Sequence, residues 1–81
     1  MDQTSPEILI DARGHRCPVP TLKLRRAMAA AQAGSRLRLL ADDPLARIDV
    51  PHFLSEVGST LAGIEDAGGA LAFLIVKGAP K

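Results

Sequence analysis

The chain has 81 residues, of which 47% are hydrophobic and 23% charged, and its formal net charge is +1. This length fits one domain with a modest core and argues against a deep cleft that holds a large catalytic machinery. The single cysteine excludes an intrachain disulfide and a CxxC pair, and the scarcity of aromatic residues argues against a stacking platform for single-stranded nucleic acid.

The first six residues are polar, and we predict that residues 1–6 form a flexible tail ahead of a single domain over residues 7–81. The start of the chain has neither the basic residues nor the apolar stretch of a signal peptide. The longest apolar runs, such as residues 70–76, are too short to cross a bilayer. These features predict a cytoplasmic protein.

The first elements are predicted to be a strand, a loop and a helix. The β-branched run at residues 7–11 predicts the strand, and Gly14 in the loop is free to adopt a positive φ. The helix is predicted to begin at Cys17-Pro18, because proline is favoured in a first turn, and Gly34 stops it. One helical face is apolar and should pack on a sheet; it carries Pro20, Leu24, Ala27, Met28 and Ala31.

A second strand and a second helix follow. Leucines alternate with arginines over residues 36–41, which predicts a strand with one buried face. We predict Asp49 as the N-cap of the second helix, with Pro51 in its first turn and Gly58 at its end. The apolar residues of this helix recur at helical spacing; they are Val50, Phe53, Leu54 and Val57.

Two further strands complete the chain. Residues 60–64 and 70–77 are predicted to form an antiparallel hairpin around a turn that contains two glycines. The order βαβαββ predicts a right-handed, parallel first crossover. The fold class is therefore an α/β (α+β) two-layer sandwich, with both helices on one face of a four-stranded mixed sheet.

The cysteine lies where a helix start would activate a thiol. A helix N-terminus carries a partial positive charge and unpaired N–H groups, which favour a thiolate and lower a cysteine pKa below about 8.5. Pro18 and Pro20 stiffen the turn after Cys17. Three nearby residues are candidates for adding positive potential; they are Arg13, His15 and Arg16. The alternative, a small buried hydrophobic cysteine, is also open from position alone.

The two histidines have weaker functional interpretations. His15 is placed to act as a base or donor for Cys17, or it is an exposed loop residue. His52 is interpreted as a surface residue of the second helix. Together with one cysteine they do not form a convincing zinc set, so we predict no metal and no cofactor.

Seven basic residues and no acidic residue lie between Arg13 and Arg38. They form either a solvated surface or a docking surface for an acidic partner or RNA phosphates. Near the cysteine, Val19 and Leu22 fall outside the predicted core face. They are candidates for the apolar centre of a docking patch whose basic rim consists of Lys23, Arg25 and Arg26.

The segment from Asp11 to Lys23 contains an acidic residue, a glycine and then Cys-Pro-Val-Pro. This segment resembles the signature of the TusA-type (SirA-like) sulfurtransferase family. The resemblance continues through residues 41–44 and 49–53 and ends in the apolar last strand with Lys77. Two positions depart from the common family pattern: His15 replaces an apolar residue, and Gly58-Ser59 replaces Gly-His.

The resemblance implies a sulfur carrier that holds sulfane sulfur as a persulfide on Cys17, with Gly14, Pro18 and Pro20 as the structural part of the motif. Its implied donor is a cysteine desulfurase or a rhodanese-like protein, and its implied acceptor is a DsrE-type protein or a thiolation enzyme. The implied pathways are tRNA thiolation, molybdenum cofactor maturation and sulfur oxidation. Such a protein is partly an enzyme and partly a carrier of its cargo. The resemblance further implies a monomer that forms transient complexes and requires neither membrane nor nucleic acid.

Two other function classes remain for comparison. The first is a regulatory or RNA/protein-binding module without chemistry, which uses its basic first helix and leaves Cys17 inert. The second is a cysteine hydrolase, which is poorly supported because no acidic residue is seen to orient either histidine.

Overall fold

A computed structural model describes residues 7–78, so the tail predicted for residues 1–6 lies outside the described residues. The chain forms four strands and two helices in the order predicted from the sequence. In chain order they are β1 (Ile8–Asp11), α1 (Val19–Ala30), β2 (Arg36–Ala41), α2 (Ala46–Val57), β3 (Thr60–Asp66) and β4 (Leu71–Val76).

The strands form one mixed sheet in the order β1-β2-β4-β3. β1 pairs in parallel with β2, and β4 pairs antiparallel with both β2 and β3. Alternation along β2 buries Leu37, Leu39 and Ala41 and turns Arg36 and Arg38 to the other face. The predicted two-layer βαβαββ sandwich is therefore confirmed.

The core lies between one face of the sheet and the two helices. Its residues come from every element except β3, which contributes the half-buried Leu61. The largest fully buried side chains are Phe73, Leu24, Leu37, Leu39, Leu54, Ile75 and Val50. Each such side chain stabilises the fold by roughly 1.5–3 kcal/mol relative to full exposure. The core fixes how α1 and α2 lie beside one another, which decides what surrounds the cysteine.

The first helix packs as its periodicity predicts. Pro20, Leu24 and Met28 are buried, and Ala27 is half-buried against the core. The helix begins later than predicted, because Pro18 is its N-cap and Val19 its first residue. Cys17 therefore precedes the helix instead of opening it.

The second helix begins three residues before the predicted cap. Leu45 is its N-cap, so Asp49 lies within the helix and Pro51 lies beyond its first turn. The reason is Asp43, whose carboxylate accepts a hydrogen bond from the Leu45 N–H at 3.1 Å and whose carbonyl accepts one from the Ala46 N–H at 2.9 Å. These bonds satisfy backbone N–H groups at the start of α2. Asp43 thus takes the capping role that the sequence predicts for Asp49.

The strand ends also differ in detail. β3 extends to Asp66, past the predicted residue 64, and its pairing with β4 has an irregularity between Leu61 and Gly63. β4 is one residue shorter than predicted at each end. Gly58 ends α2 in the left-handed region with a φ of 73°, as predicted for a helix stop.

Candidate functional site

The two loops that carry the site meet at one edge of the sheet. Because β1 and β2 are parallel neighbours, their carboxyl ends lie side by side, with Asp11 opposite Leu40. The loop after β1 leads through Cys17 to α1, and the loop after β2 leads through Asp42 and Asp43 to α2. This edge is where open α/β sheets commonly bind ligands.

Two aspartates after β2 hold the cysteine loop by its backbone. Both carboxylate oxygens of Asp42 accept from the Gly14 N–H at 3.0 Å, and Gly14 has the predicted positive φ, at 81°. The Asp43 carboxylate accepts from the Cys17 N–H at 2.6 Å. The backbone is thus anchored on both sides of His15 and Arg16, and the position of Cys17 is set by its neighbouring loop.

The cysteine side chain is exposed and faces α2. Its thiol donates a hydrogen bond to Oδ2 of Asp49, with an Sγ–Oδ2 distance of 2.7 Å. Both residues line an open hollow between the two helices, here called the sulfur hollow, whose other lining residues are Pro18, Thr21, Arg25, His52, Phe53 and Glu56. The alternative of a cysteine buried in the core is therefore wrong.

The carboxylates around the sulfur raise the pKa of Cys17. The main cause is the hydrogen bond to Asp49, with smaller contributions from partial desolvation and from the negative charges of Asp49 and Asp43. The prediction of a lowered cysteine pKa is wrong, since Cys17 lies before the helix and its nearest charges are acidic. Conversely, the hydrogen bonds from the Cys17 and Leu45 N–H groups lower the pKa of Asp43.

The three residues expected to add positive potential near the thiol have other partners or neighbours. Arg13 donates from Nε and Nη2 to the Asp11 carboxylate at 2.9 and 2.8 Å, which holds the pKa of Asp11 well below its usual range. His15 and Arg16 line a separate open hollow beside Asp42 and Asp43. The causes that raise the Cys17 pKa are carboxylates and desolvation, and Arg13, His15 and Arg16 are not among them, so thiolate stabilisation by these three residues stays a prediction.

The predicted docking residues divide between two sides of α1. Val19, Leu22, Lys23 and Arg26 line one open hollow, here called the basic hollow, and Leu22 is 53% exposed. Arg25 instead lies over the Phe53 ring, 4.9 Å from its centroid, on the side of the sulfur hollow. The single basic rim predicted from the sequence is therefore two separate surfaces.

Comparison with known proteins identifies the family to which this arrangement belongs. A family model described as sulfurtransferase TusA matches residues 8–77, which include all four strands and both helices. The chain belongs to the TusA sulfurtransferase family. Members of this family relay sulfur with partner proteins.

A solved relative supports the same assignment. It is a SirA-like protein from Desulfitobacterium hafniense, 29% identical in sequence, which superimposes with a TM-score of 0.77. The match covers 89% of this chain and 99% of that one. The TusA-family fold thus extends over nearly all of the described residues.

Sequence reasoning missed the roles of Asp43 and Asp49 in this TusA-family site. Asp43 lies two residues after a strand that is predicted to pair in parallel with β1, and this placement was a usable signal for a contact with the cysteine loop. Asp49 is 32 residues from Cys17 and meets it only through the packing of α2 beside α1. The residues around Asp49 predict an N-cap, so the sequence gives no indication of its contact with Cys17.

Within residues 7–78, no group of three or more His, Cys, Asp or Glu side chains is arranged to hold a metal ion. Over the same residues, no helix combines the length and apolar character needed to cross a bilayer.

Proposed function

We propose that this TusA-family protein accepts a sulfane sulfur on Cys17, holds it as a persulfide and passes it to an acceptor protein. Cys17 is the chain's single cysteine, so a persulfide formed there has no resolving thiol in the same molecule. The proposal rests on one observation above all: the sulfur is exposed in an open hollow at the sheet edge.

The transfer requires no outside oxidant or reductant. Cys17 attacks the terminal sulfur of a donor persulfide; a bond forms between Sγ and that sulfur, and the sulfur–sulfur bond of the donor breaks. The donor leaves as a thiol after it takes up the proton that Cys17 loses. Unloading is the same reaction with an acceptor. An acceptor thiolate attacks the terminal sulfur held on Cys17, the bond between that sulfur and Sγ breaks, and Cys17 leaves as the thiolate.

The proposal also names the donor, the acceptor, the cellular location and the oligomeric state. We expect a cysteine desulfurase or a rhodanese-like protein to load Cys17, and a DsrE-type protein or thiolation enzyme to accept the sulfur. Residues 7–81 would act as a single cytoplasmic domain, monomeric between transient complexes. Gly14 supports this role through its left-handed backbone and its bonds to Asp42. Pro18 and Pro20 bracket the first residue of α1 and restrict the turn after the sulfur.

Mass spectrometry of the intact protein tests the proposal. After incubation with a cysteine desulfurase and L-cysteine, the wild-type protein should gain the mass of one sulfur atom, and a reductant should remove it. Cys17→Ser should show no gain, while Arg36→Ala, a change at the exposed start of β2, should load like wild type.

A lack of any adduct on the wild type with either a desulfurase or a rhodanese-like donor would contradict the carrier function. That result, combined with binding of Cys17→Ser to RNA or protein through α1, would favour the regulatory module instead.

A further inference from the structure

Asp49 has a contact that the proposed function does not by itself require. Its carboxylate accepts the hydrogen bond from the Cys17 thiol at 2.7 Å, although sulfur transfer needs a reactive thiolate. We propose that Asp49 is a positioning residue that keeps Cys17 protonated in the free protein, and that a cationic side chain of the sulfur donor releases the thiol by pairing with Asp49. The second half of this inference rests on the proposed function; the first half does not.

The fold holds the Asp49 carboxylate against the sulfur. Asp49 is half-buried on α2, next to the fully buried Val50 and one helical turn from the buried Phe53. The Cys17 backbone is fixed from the other side by its N–H bond to Asp43. The backbones of both residues are thus held by the core and by the loop, so the contact follows from how the helix and the loop pack.

The chemistry of this contact favours the thiol. An ionised carboxylate can only accept hydrogen bonds, so its bond to sulfur exists while the sulfur carries a proton. A thiolate at the same position would face the negative charges of Asp49 and Asp43 at short range. Proton loss from Cys17 therefore sacrifices a charge-assisted hydrogen bond and creates a like-charge pair.

Other charged groups face the same region, and several are already engaged. They are Arg16, Arg25, Asp43, His52 and Glu56. Arg25 lies over the Phe53 ring, and His52 forms a pair with Glu56 at 3.3 Å. Arg16 acts on Asp43, which also holds the Cys17 backbone. The groups in direct contact with Cys17 are thus carboxylates, and no cation of the described residues forms a salt bridge with Asp49, which leaves its carboxylate available to a cation of the donor.

A donor cation would act at the moment of transfer. Once a lysine or arginine of the donor pairs with Asp49, the thiol loses its acceptor and the repulsion against a thiolate falls. Cys17 then gives up its proton and attacks the sulfane sulfur, and the donor thiol forms as described above. Before that encounter, the protonated sulfur reacts slowly with oxidants and unrelated electrophiles.

Alkylation of the free protein tests the first half of the inference. The rate of reaction with iodoacetamide is measured against pH for the wild type, for Asp49→Asn and for the wild type unfolded in urea. We expect the folded wild type to titrate above the unfolded chain, and Asp49→Asn to titrate below the folded wild type. At neutral pH the variant should react roughly five- to tenfold faster, as expected for the loss of a charge-assisted hydrogen bond.

Glu56→Gln is the matched control, since it removes one carboxylate from the same helix and hollow without touching the Sγ–Oδ2 bond. It should leave the alkylation profile close to wild type. If the folded wild type titrates at or below the unfolded chain, or if Asp49→Asn and Glu56→Gln shift it equally, Asp49 does not hold the proton. The urea reference requires no variant to fold.

Single-turnover loading from a persulfidated cysteine desulfurase tests the second half. In the wild type, the pH midpoint for loading should lie below the midpoint for alkylation, because the donor itself lowers the barrier to proton loss. In Asp49→Asn the two midpoints should approach one another. Equal midpoints in the wild type would overturn donor release, whereas a wild type that alkylates as expected but never loads would instead overturn the carrier function.

Discussion

At the scale of single residues, Asp43 joins the two halves of the site. Its carboxylate accepts hydrogen bonds from the N–H of Cys17 and from the N–H of Leu45. One side chain therefore anchors the loop that carries the cysteine and the N-cap residue of α2. Asp49 then contacts the sulfur from the helix that Asp43 begins. The residues that contact Cys17 are therefore two acidic residues that lie far from it in sequence.

The bonds to Asp43 predict a pH dependence of folding stability. Its pKa is lower in the folded protein than the value of about 3.9 for an unfolded chain. A lowered carboxyl pKa stabilises the fold above the unfolded value, and this contribution is lost as the pH falls through the folded value. We expect the free energy of unfolding to decline below about pH 4 in the wild type and to decline less in Asp43→Asn.

Urea unfolding at pH 7 and pH 3 measures this difference. Asp11→Asn serves as a positive control, because the pKa of Asp11 is also lowered, by Arg13. Like Asp43→Asn, it should reduce the loss of unfolding free energy between pH 7 and pH 3. A wild type and an Asp43→Asn variant that lose equal stability between the two pH values would show that the Asp43 bonds do not contribute.

At the scale of elements, the two residues after β4 form hydrogen bonds near the C-terminal ends of both helices. Lys77 donates from Nζ to the carbonyls of Met28 and Ala31 at 2.5 and 2.6 Å, which satisfies acceptors at the C-terminal end of α1. The next residue, Gly78, donates to Ser59 Oγ at 3.0 Å, beyond the end of α2. Two consecutive residues thus connect one strand to both helix ends.

The close packing at Gly78 predicts a large effect of a single methyl group. A Cβ there would lie 2.0 Å from the backbone oxygen of Gly58, which cannot move without distorting the left-handed end of α2. We expect Gly78→Ala to lower the free energy of unfolding by about 2–3 kcal/mol, as overpacking does elsewhere. Chemical denaturation measures the change.

Gly63→Ala is the matched control for this prediction. Its added Cβ would meet Leu74 Cδ1 at 3.7 Å, which is an ordinary contact with a flexible side chain. Stability should stay within about 0.5 kcal/mol of wild type. Equal destabilisation by the two alanines would mean that the approach of Gly78 to Gly58 does not limit packing.

At the scale of the whole molecule, two surfaces of different charge lie on either side of α1. The sulfur hollow contains Asp49 and Glu56 together with Arg25 and His52, whereas the basic hollow presents Lys23 and Arg26 around the exposed Leu22. A donor that reaches Cys17 also approaches the start of α1, whose first residue lines the basic hollow. We expect the basic hollow to steer acidic donor surfaces, since exposed charges mainly affect association rates.

Reversal of one charge tests this steering. Arg26→Glu should slow loading by a cysteine desulfurase by about three- to tenfold at low salt and weaken the dependence of the rate on salt. Arg36→Glu makes the same charge change at the opposite end of the sheet from Cys17 and should have a smaller effect. If both variants load at the same rate with the same salt dependence, the basic hollow does not guide the donor.

Local pattern was sufficient to predict the elements and their buried faces. The leucine–arginine alternation of β2 and the spacing of Pro20, Leu24 and Met28 depend only on neighbours within a few residues, and the structure buries them as expected. Family resemblance likewise followed from residues that are contiguous in sequence around Cys17. These features are encoded locally, because strand and helix periods convert sequence spacing directly into a common face.

The electrostatic surroundings of the sulfur were decided by tertiary structure. The sign of the Cys17 pKa shift depends on Asp43 and Asp49, which lie 26 and 32 residues from the cysteine. The sequence alone predicted that a sulfur would stand near a helix start, after the first strand and its loop. Only the parallel pairing of β1 with β2 and the packing of α2 beside α1 determined that carboxylates would contact it, because such contacts depend on the relative position of whole elements.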